Sequence, residues 1–325
     1  MKAFTKLKYG GPEVLQLEEI ERPTIKDGHI LVRVVANSAN PADWHILRGK
    51  PFFARFTFGL LKPKDKVLGA DFSGIVEEVG SNVSRFKVGD HVFGEKMLGG
   101  AFAEFICVSD AVCAKMPMKI GFPEMAAVPI AGLTALQALI THGQLKAGES
   151  VLINGSSGGV GHFAVQIAKA YGAQVTAVCS SKSAEFVKSL GADKVVAYDQ
   201  VDIHQYKGKY DLVVDTHGNL TLKDYKRLGQ RGVVVGFTNM KHMISLLLSS
   251  ALSKFNLGQF TASPNKVDLE KLASLIQEGS IQPRIEKTYS YPKIPEAIAY
   301  IEAMHTKGKV VMVWPSDSKT VNHIH

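Results

Sequence analysis

Short apolar runs separated by turn residues fill the first third of the chain, and a longer-period pattern replaces them afterwards. Runs at residues 30–35, 72–79 and 102–108 are bounded by Gly, Pro and Asp, with Gly89-Asp90 and Gly99-Gly100 between them. This predicts a β-rich, barrel-like unit. An Ala-rich stretch over 125–142 predicts helix around a short interruption at Gly132. Strand and helix signals then alternate: strand 150–154, helix 160–171, strand 174–179, helix 183–190, and strands 194–197, 210–214 and 232–236. That rhythm predicts a parallel sheet with helices on its faces. Helices at 244–257, 269–279 and 295–305 and a strand at 310–314 follow, the last strand resembling the first region in character.

The most specific motif is Gly155-Ser156-Ser157-Gly158-Gly159-Val160-Gly161, set between a strand and a helix. A strand, a glycine turn and a helix start together form a cradle for a pyrophosphate. Ser156, Gly158, Gly159, Val160 and Gly161 are therefore the expected cofactor-binding residues. A site for NAD usually carries Asp or Glu after the second strand, to accept from the ribose hydroxyls. Here the segment reads Cys179-Ser180-Ser181-Lys182. Ser180 and Lys182 can donate to the 2′-phosphate of NADPH, the expected cofactor. The bland alternative for this pair is a capping serine and a solvated lysine. Tyr198 after the third strand can flank the same phosphate or pack at a boundary. Gly236 and Phe237 end a later strand on the ligand side of such sheets, where Gly236 allows close approach of the nicotinamide ribose or simply makes a turn.

Composition narrows the classes. A chain of 325 residues, 46% hydrophobic and 21% charged, fits two globular domains. The start, Met1-Lys2-Ala3-Phe4, lacks a leader pattern, and no stretch approaches the ~18 apolar residues of a membrane span, so a cytoplasmic protein with no membrane partner is expected. Three cysteines, Cys107, Cys113 and Cys179, form neither a disulfide framework nor a Cys-x-x-Cys pair. The net charge of +8 is scattered, so it suits an anionic cofactor, and nucleic-acid binding is not expected.

The order of motifs resembles the medium-chain dehydrogenase/reductase superfamily, in its zinc-independent NADPH:quinone oxidoreductase (zeta-crystallin-like) branch. The resemblance rests on Tyr9-Gly10-Gly11-Pro12-Glu13-Val14-Leu15, Val88-Gly89-Asp90-His91-Val92-Phe93-Gly94, the glycine loop and Gly308-Lys309-Val310-Val311, and covers essentially the whole chain. It implies an α/β fold: a Rossmann-type parallel sheet domain plus a GroES-like β-rich catalytic domain. The expected boundaries are 1–121 for the catalytic domain, 122–260 for the dinucleotide domain, and 261–325 for a C-terminal return completing the first. A homodimer is implied as well.

Zinc-using relatives carry ligands at the places that here hold Asn40, Ala70 with Asp71, and Ile130 with Ala131, a poor zinc set. Without a metal to polarise a carbonyl, the resemblance implies hydride delivery to a quinone or an activated enone. Asn40 matches a substrate-facing position, where its amide would bind the acceptor oxygen, with capping of its own turn as the alternative. Thr134 would touch the nicotinamide or acceptor, or cap a helix. The tyrosines of well-studied quinone reductases are absent after Asn40. Trp44, His45 and the stretch Pro51-Phe52-Phe53-Ala54-Arg55-Phe56 stand there instead, and His45 is the titratable candidate for proton transfer. The competing classes are an alcohol or aldehyde oxidoreductase, and an NADPH-binding sensor, structural or RNA-binding protein with little turnover.

Overall fold

The structure, a computed structural model, describes residues 1–97, 99–236, 240–304 and 306–315. It divides into two compact units, one made of Met1–Ile130, Pro264–Gln277 and the described residues from Ile285, the other of Ala131–Ser263 and Glu278–Arg284.

In the first unit β1 (Lys2–Thr5) and β2 (Gln16–Glu19) form an antiparallel pair. The main sheet contains β3 (His29–Ala39), β4 (Asp71–Val79), β5 (His91–Glu95), β6 (Phe105–Ser109), β7 (Cys113–Lys115), β14 (Ile285–Ser290) and β15 (Lys309–Val313). Its order is β14-β15-β3-β4-β5-β7, with β6 also pairing β3. The long β3 is buried along nearly its whole length and accepts three antiparallel partners. Two register shifts against β4 let the sheet curl around Ile30, Val32, Phe72, Val92, Phe102, Ile106 and Met312. β15 places Val310 opposite Ala39 and Val313 opposite Ala36, so chain from near the far end of the sequence completes a sheet begun at its start.

The second unit has a six-stranded sheet, parallel throughout, of β8 (Ser150–Asn154), β9 (Gln174–Cys179), β10 (Lys194–Ala197), β11 (Tyr210–Asp215), β12 (Gly229–Val234) and β13 (Asn256–Gln259). Its order is β10-β9-β8-β11-β12-β13. The chain starts at a central strand, runs outward through β9 and β10, then returns to the other side of β8. That reversal opens a crevice at the carboxyl ends of β8 and β11, the switch point where ligands bind in such sheets. Val151, Leu152 and Ile153 are inaccessible, as are Leu212, Val213 and Val214, which is what a sheet covered on both faces demands of its central strands.

Three local expectations are corrected. The helical stretch breaks at Ala127 and Val128 between Phe122–Ala126 and Pro129–Leu136, and not at Gly132, which lies inside the second helix. Pro129 lacks an N–H and biases Val128 out of the helical region, whereas an isolated glycine only weakens a helix. The helix expected at 244–257 is Met240–Ala251, and Leu257 belongs to β13. Phe255, in the bend before β13, and Leu257, within it, reach the same apolar cluster as the helix's Leu246, which the apolar spacing alone did not separate from helix. Finally, the run expected at 102–108 is a strand only over Phe105–Ser109, with Ala103 making an isolated bridge to Ala3.

Candidate functional site

At the switch point the register sets Asn154, the last residue of β8, opposite Asp215, the last of β11. The Asn154 amide donates to the Asp215 carboxylate at 2.8 Å, and the backbone N–H groups of His217, Gly218 and Leu220 donate to the same carboxylate at 2.8–3.1 Å. Thr216 Oγ1 donates to the carbonyls of Asn154 (2.8 Å) and Gly155 (3.2 Å). The start of the glycine loop is thus tied to the strand tip beside it. In the sequence Asn154 reads only as the end of a strand, and neither Asp215 nor Thr216 is singled out. A carboxylate at a strand end followed by Thr216-His217-Gly218 was the available signal.

Gly155 has φ +79°, and a Cβ there would lie 2.7 Å from Thr216 Oγ1. Gly161 is constrained by space alone: its Cβ would lie 2.1 Å from Gly155 O and 2.6 Å from Ser156 Cα. The helix Gly159–Ala170 therefore begins in direct contact with the loop, capped by Gly158. The N–H groups of its first turn, Gly159, Val160 and Gly161, have no acceptor within the helix, and its positive end faces the crevice. This close-packed cradle fits a pyrophosphate. Ser156 is fully buried, and its hydroxyl donates to Val178 O at 2.8 Å. Its backbone N–H donates to the same carbonyl at 3.0 Å, so Ser156 holds the loop on β9 and offers the site no free donor of its own.

The tips of β9 and β10 form the neighbouring part. Ala197 lies opposite Cys179, and Tyr198 N donates to Cys179 O at 3.0 Å. Ser180, Lys182 and Tyr198 are consequently brought to one end of the sheet, Lys182 and Tyr198 exposed. Asp199, which the sequence reading missed, stands with them and accepts from Ser181 N at 2.8 Å and from the Ser181 hydroxyl. Gly236 follows β12, and its Cβ would meet nothing nearer than Thr216 O at 3.6 Å, so the protein itself does not require glycine there. Phe237 lies outside the described residues. Thr134, buried within the helix Pro129–Leu136, is not a helix cap.

Asn40 and His45 belong to the first unit. Asn40 is buried before the helix Pro41–Arg48, and its N–H donates to Asp43 at 2.8 Å. Its amide is engaged at both ends: Nδ2 donates to Asp71 Oδ2 at 2.9 Å, and Oδ1 accepts from Lys309 Nζ at 2.5 Å. Lys309 also donates to Ala39 O at 3.2 Å and lies 3.6 Å from Asp71 Oδ2. Asp71 further accepts from Ser38 Oγ and Ile130 N. Burial pushes the Asp71 carboxyl up and the Lys309 ammonium down, each opposed by the other's charge. Glu95, opposite Asp71 in the register, is inaccessible, and neither of its carboxyl oxygens has a hydrogen-bond partner. Burial raises it to about 8 and raises Asp43 to about 7. His45 stacks on Trp44 with centroids 3.6 Å apart, and burial lowers its pKa, favouring the neutral ring. A lysine at the head of an apolar strand was the sequence signal for this cluster. Among the described residues no group of three or more His, Cys, Asp or Glu side chains is placed to hold a metal ion. Where zinc-using relatives carry ligands, this chain has an amide and a carboxylate already joined by a lysine.

Residues 26–118 match the alcohol dehydrogenase GroES-like domain, and residues 190–312 match the zinc-binding dehydrogenase family. The chloroplast envelope quinone oxidoreductase homolog of Arabidopsis thaliana is 34% identical over 319 residues, covering 93% of this chain and 95% of that protein. The chain is a medium-chain dehydrogenase/reductase of the zinc-independent quinone oxidoreductase branch. Within this branch it is also similar to the chloroplastic NADPH-dependent alkenal/one oxidoreductase of the same plant, at 34% identity over 96% of this chain and 79% of that one. The quinone oxidoreductase from Coxiella burnetii superposes with a TM-score of 0.86 at 30% identity, covering 96% of this chain and 99% of that one. This medium-chain reductase thus shares its Rossmann-type parallel sheet and its GroES-like unit with solved relatives of the branch.

Proposed function

We propose that the chain reduces quinones or activated enones with NADPH by direct hydride transfer, with no catalytic zinc. The observation that carries this reading is the glycine cradle at the switch point together with the serine and lysine that follow β9. The named activities of the relatives, quinone and NADPH-dependent alkenal/one reduction, support the substrate class. When bound, NADPH supplies the hydride. The chain's own residues bind and orient: Gly158 closes the turn, Gly159, Val160 and Gly161 receive the pyrophosphate on backbone N–H groups, and Ser180, Lys182 and Tyr198 receive the 2′-phosphate. Gly236 and Phe237 are assigned to the nicotinamide side.

For Asn40, the engagement of both amide ends by Asp71 and Lys309 supports a role in fixing its turn over direct bonding to the acceptor. His45 and Thr134 are the proposed neighbours of the acceptor. We assign the catalytic domain to 1–121 and 261–325 and the dinucleotide domain to 122–260, and place the protein in the cytoplasm as a homodimer without a nucleic-acid partner. No helix of the described residues is long and apolar enough to cross a membrane.

The test is absorbance of the reduced nicotinamide with metal-stripped protein and a panel of quinones, enones and aldehydes. Oxidation of NADPH by quinones or enones that survives chelation is expected. Turnover restricted to aldehydes, or appearing only after zinc is added, overturns the reading, and tight binding without turnover moves the protein to a non-catalytic class.

A further inference from the structure

The tips of β9 and β10 hold a set of donors suited to a phosphate, and the protein's own carboxylate already occupies it. Asp199 Oδ1 accepts from the Ser181 backbone N–H at 2.8 Å, and Oδ2 accepts from the Ser181 hydroxyl at 2.5 Å. These bonds, joined by the Lys182 charge, hold the Asp199 carboxyl below its usual range. One backbone N–H, one hydroxyl and one ammonium are the groups that bind a sugar phosphate. Ser180 does not replace them freely, since its hydroxyl faces that of Ser183 at 3.2 Å. The side chain that fills the seat is exposed just past a strand end, in a turn where Gln200 N and Val201 N both bond Ala197 O. Nothing in the packing of the sheet requires a carboxylate there.

We propose that Asp199 is a specificity-determining residue: it occupies donors that the 2′-phosphate of NADPH would use and offers the ribose hydroxyls of NADH an acceptor, so it narrows the preference for NADPH set by Ser180 and Lys182. This rests on the assignment of the β9 and β10 tips to the adenosine end of the cofactor. Two electrostatic effects act in the same direction. A 2′-phosphate brings about −1.5 to −2 charges close to the Asp199 carboxylate, and the like charges repel. It also has to displace that carboxylate from Ser181 before taking the same hydrogen bonds. NADH carries no such phosphate, and its 2′-hydroxyl is a donor to which an ionised carboxylate is the ordinary partner. An acid was absent from the segment after the second strand. It enters the site from the third, 17 residues beyond Lys182, where strand-by-strand reading does not look for it.

The experiment measures dissociation constants of NADPH, NADH and 2′,5′-ADP by fluorescence titration or calorimetry for the wild type, Asp199→Asn and Asp199→Ala, each at low and moderate ionic strength. Both variants are expected to bind NADPH and 2′,5′-ADP about tenfold more tightly at low salt, a gain that shrinks as salt screens the exposed charge. NADH affinity is expected to stay level or fall a few-fold, so the NADPH-to-NADH ratio rises. An unchanged ratio, or weaker NADPH binding in both variants, overturns the role of Asp199 while leaving the NADPH reading intact. Failure of the wild type to bind either dinucleotide, or 2′,5′-ADP, overturns both.

Discussion

Glu95 is a carboxyl group with no hydrogen-bond donor, facing Asp71 across two paired strands. Three donors and a nearby ammonium stabilise the charge on Asp71, whereas Glu95 has only the more distant Lys309 in its favour. Of the two it is therefore Glu95 that holds a proton at neutral pH. The folded state keeps that proton up to about pH 8, while the unfolded chain releases it near 4.5. Stability associated with Glu95 is thus greatest below the unfolded value and declines as pH rises towards 8. Glu95→Gln imitates the protonated form and should match the wild type at pH 4.5. Above pH 8 it should be more stable by ~3–5 kcal/mol. Denaturant melts at both pH values check this, and equal stabilities at pH 8 would show that Glu95 is ionised in the fold. Neither Glu95 nor Asp199 was legible as a functional residue in the sequence. What sets them apart is a partner, or the lack of one, on another strand.

The glycine loop, whose signals are local, was read correctly, whereas β14, which tertiary pairing decides, was not. The glycine loop lies within seven residues, and its strand, turn and helix start are all specified by those residues and their immediate neighbours. By contrast β14 shows mostly polar, exposed positions and becomes a strand because it pairs β15, which no periodicity reveals. The helix Pro41–Arg48 was read only as a turn. Asn40 at its cap, Pro41 in its first turn and Asp43 reaching back to the Asn40 N–H are nonetheless helix-start signals. The loop also yields a prediction at this scale. Gly161→Ala forces a Cβ to 2.1 Å from a backbone oxygen, so loop and helix must separate. Dinucleotide affinity should fall at least about tenfold, with a stability loss of ~1–3 kcal/mol typical of overpacking. Gly158→Ala meets nothing nearer than 3.6 Å, so it loses only the N-cap preference for glycine and should lower the melting temperature less than Gly161→Ala does. Equal melting temperatures for the two variants would contradict the close-contact account.

At the scale of the whole molecule, Lys309 joins parts of the chain 269 residues apart through its bond to Asn40. Replacing it with Met keeps the length and apolar stem but leaves Asp71 buried without its cation. Breaking a buried pair in this way typically costs ~3–5 kcal/mol. Urea unfolding of the intact protein should show a loss of that order for Lys309→Met, and a loss under about 1 kcal/mol would mean that Asp71 is held without the pair. The same connection governs the order in which the protein can be finished. Every residue of the second unit precedes Ile285, whereas the first unit still lacks β14, β15 and the Lys309 ammonium when that point is reached. On the ribosome, the unit begun first is therefore the one completed last. Until β15 has been made, the β15-pairing edge of β3 stays open and Asp71 lacks its positive partner.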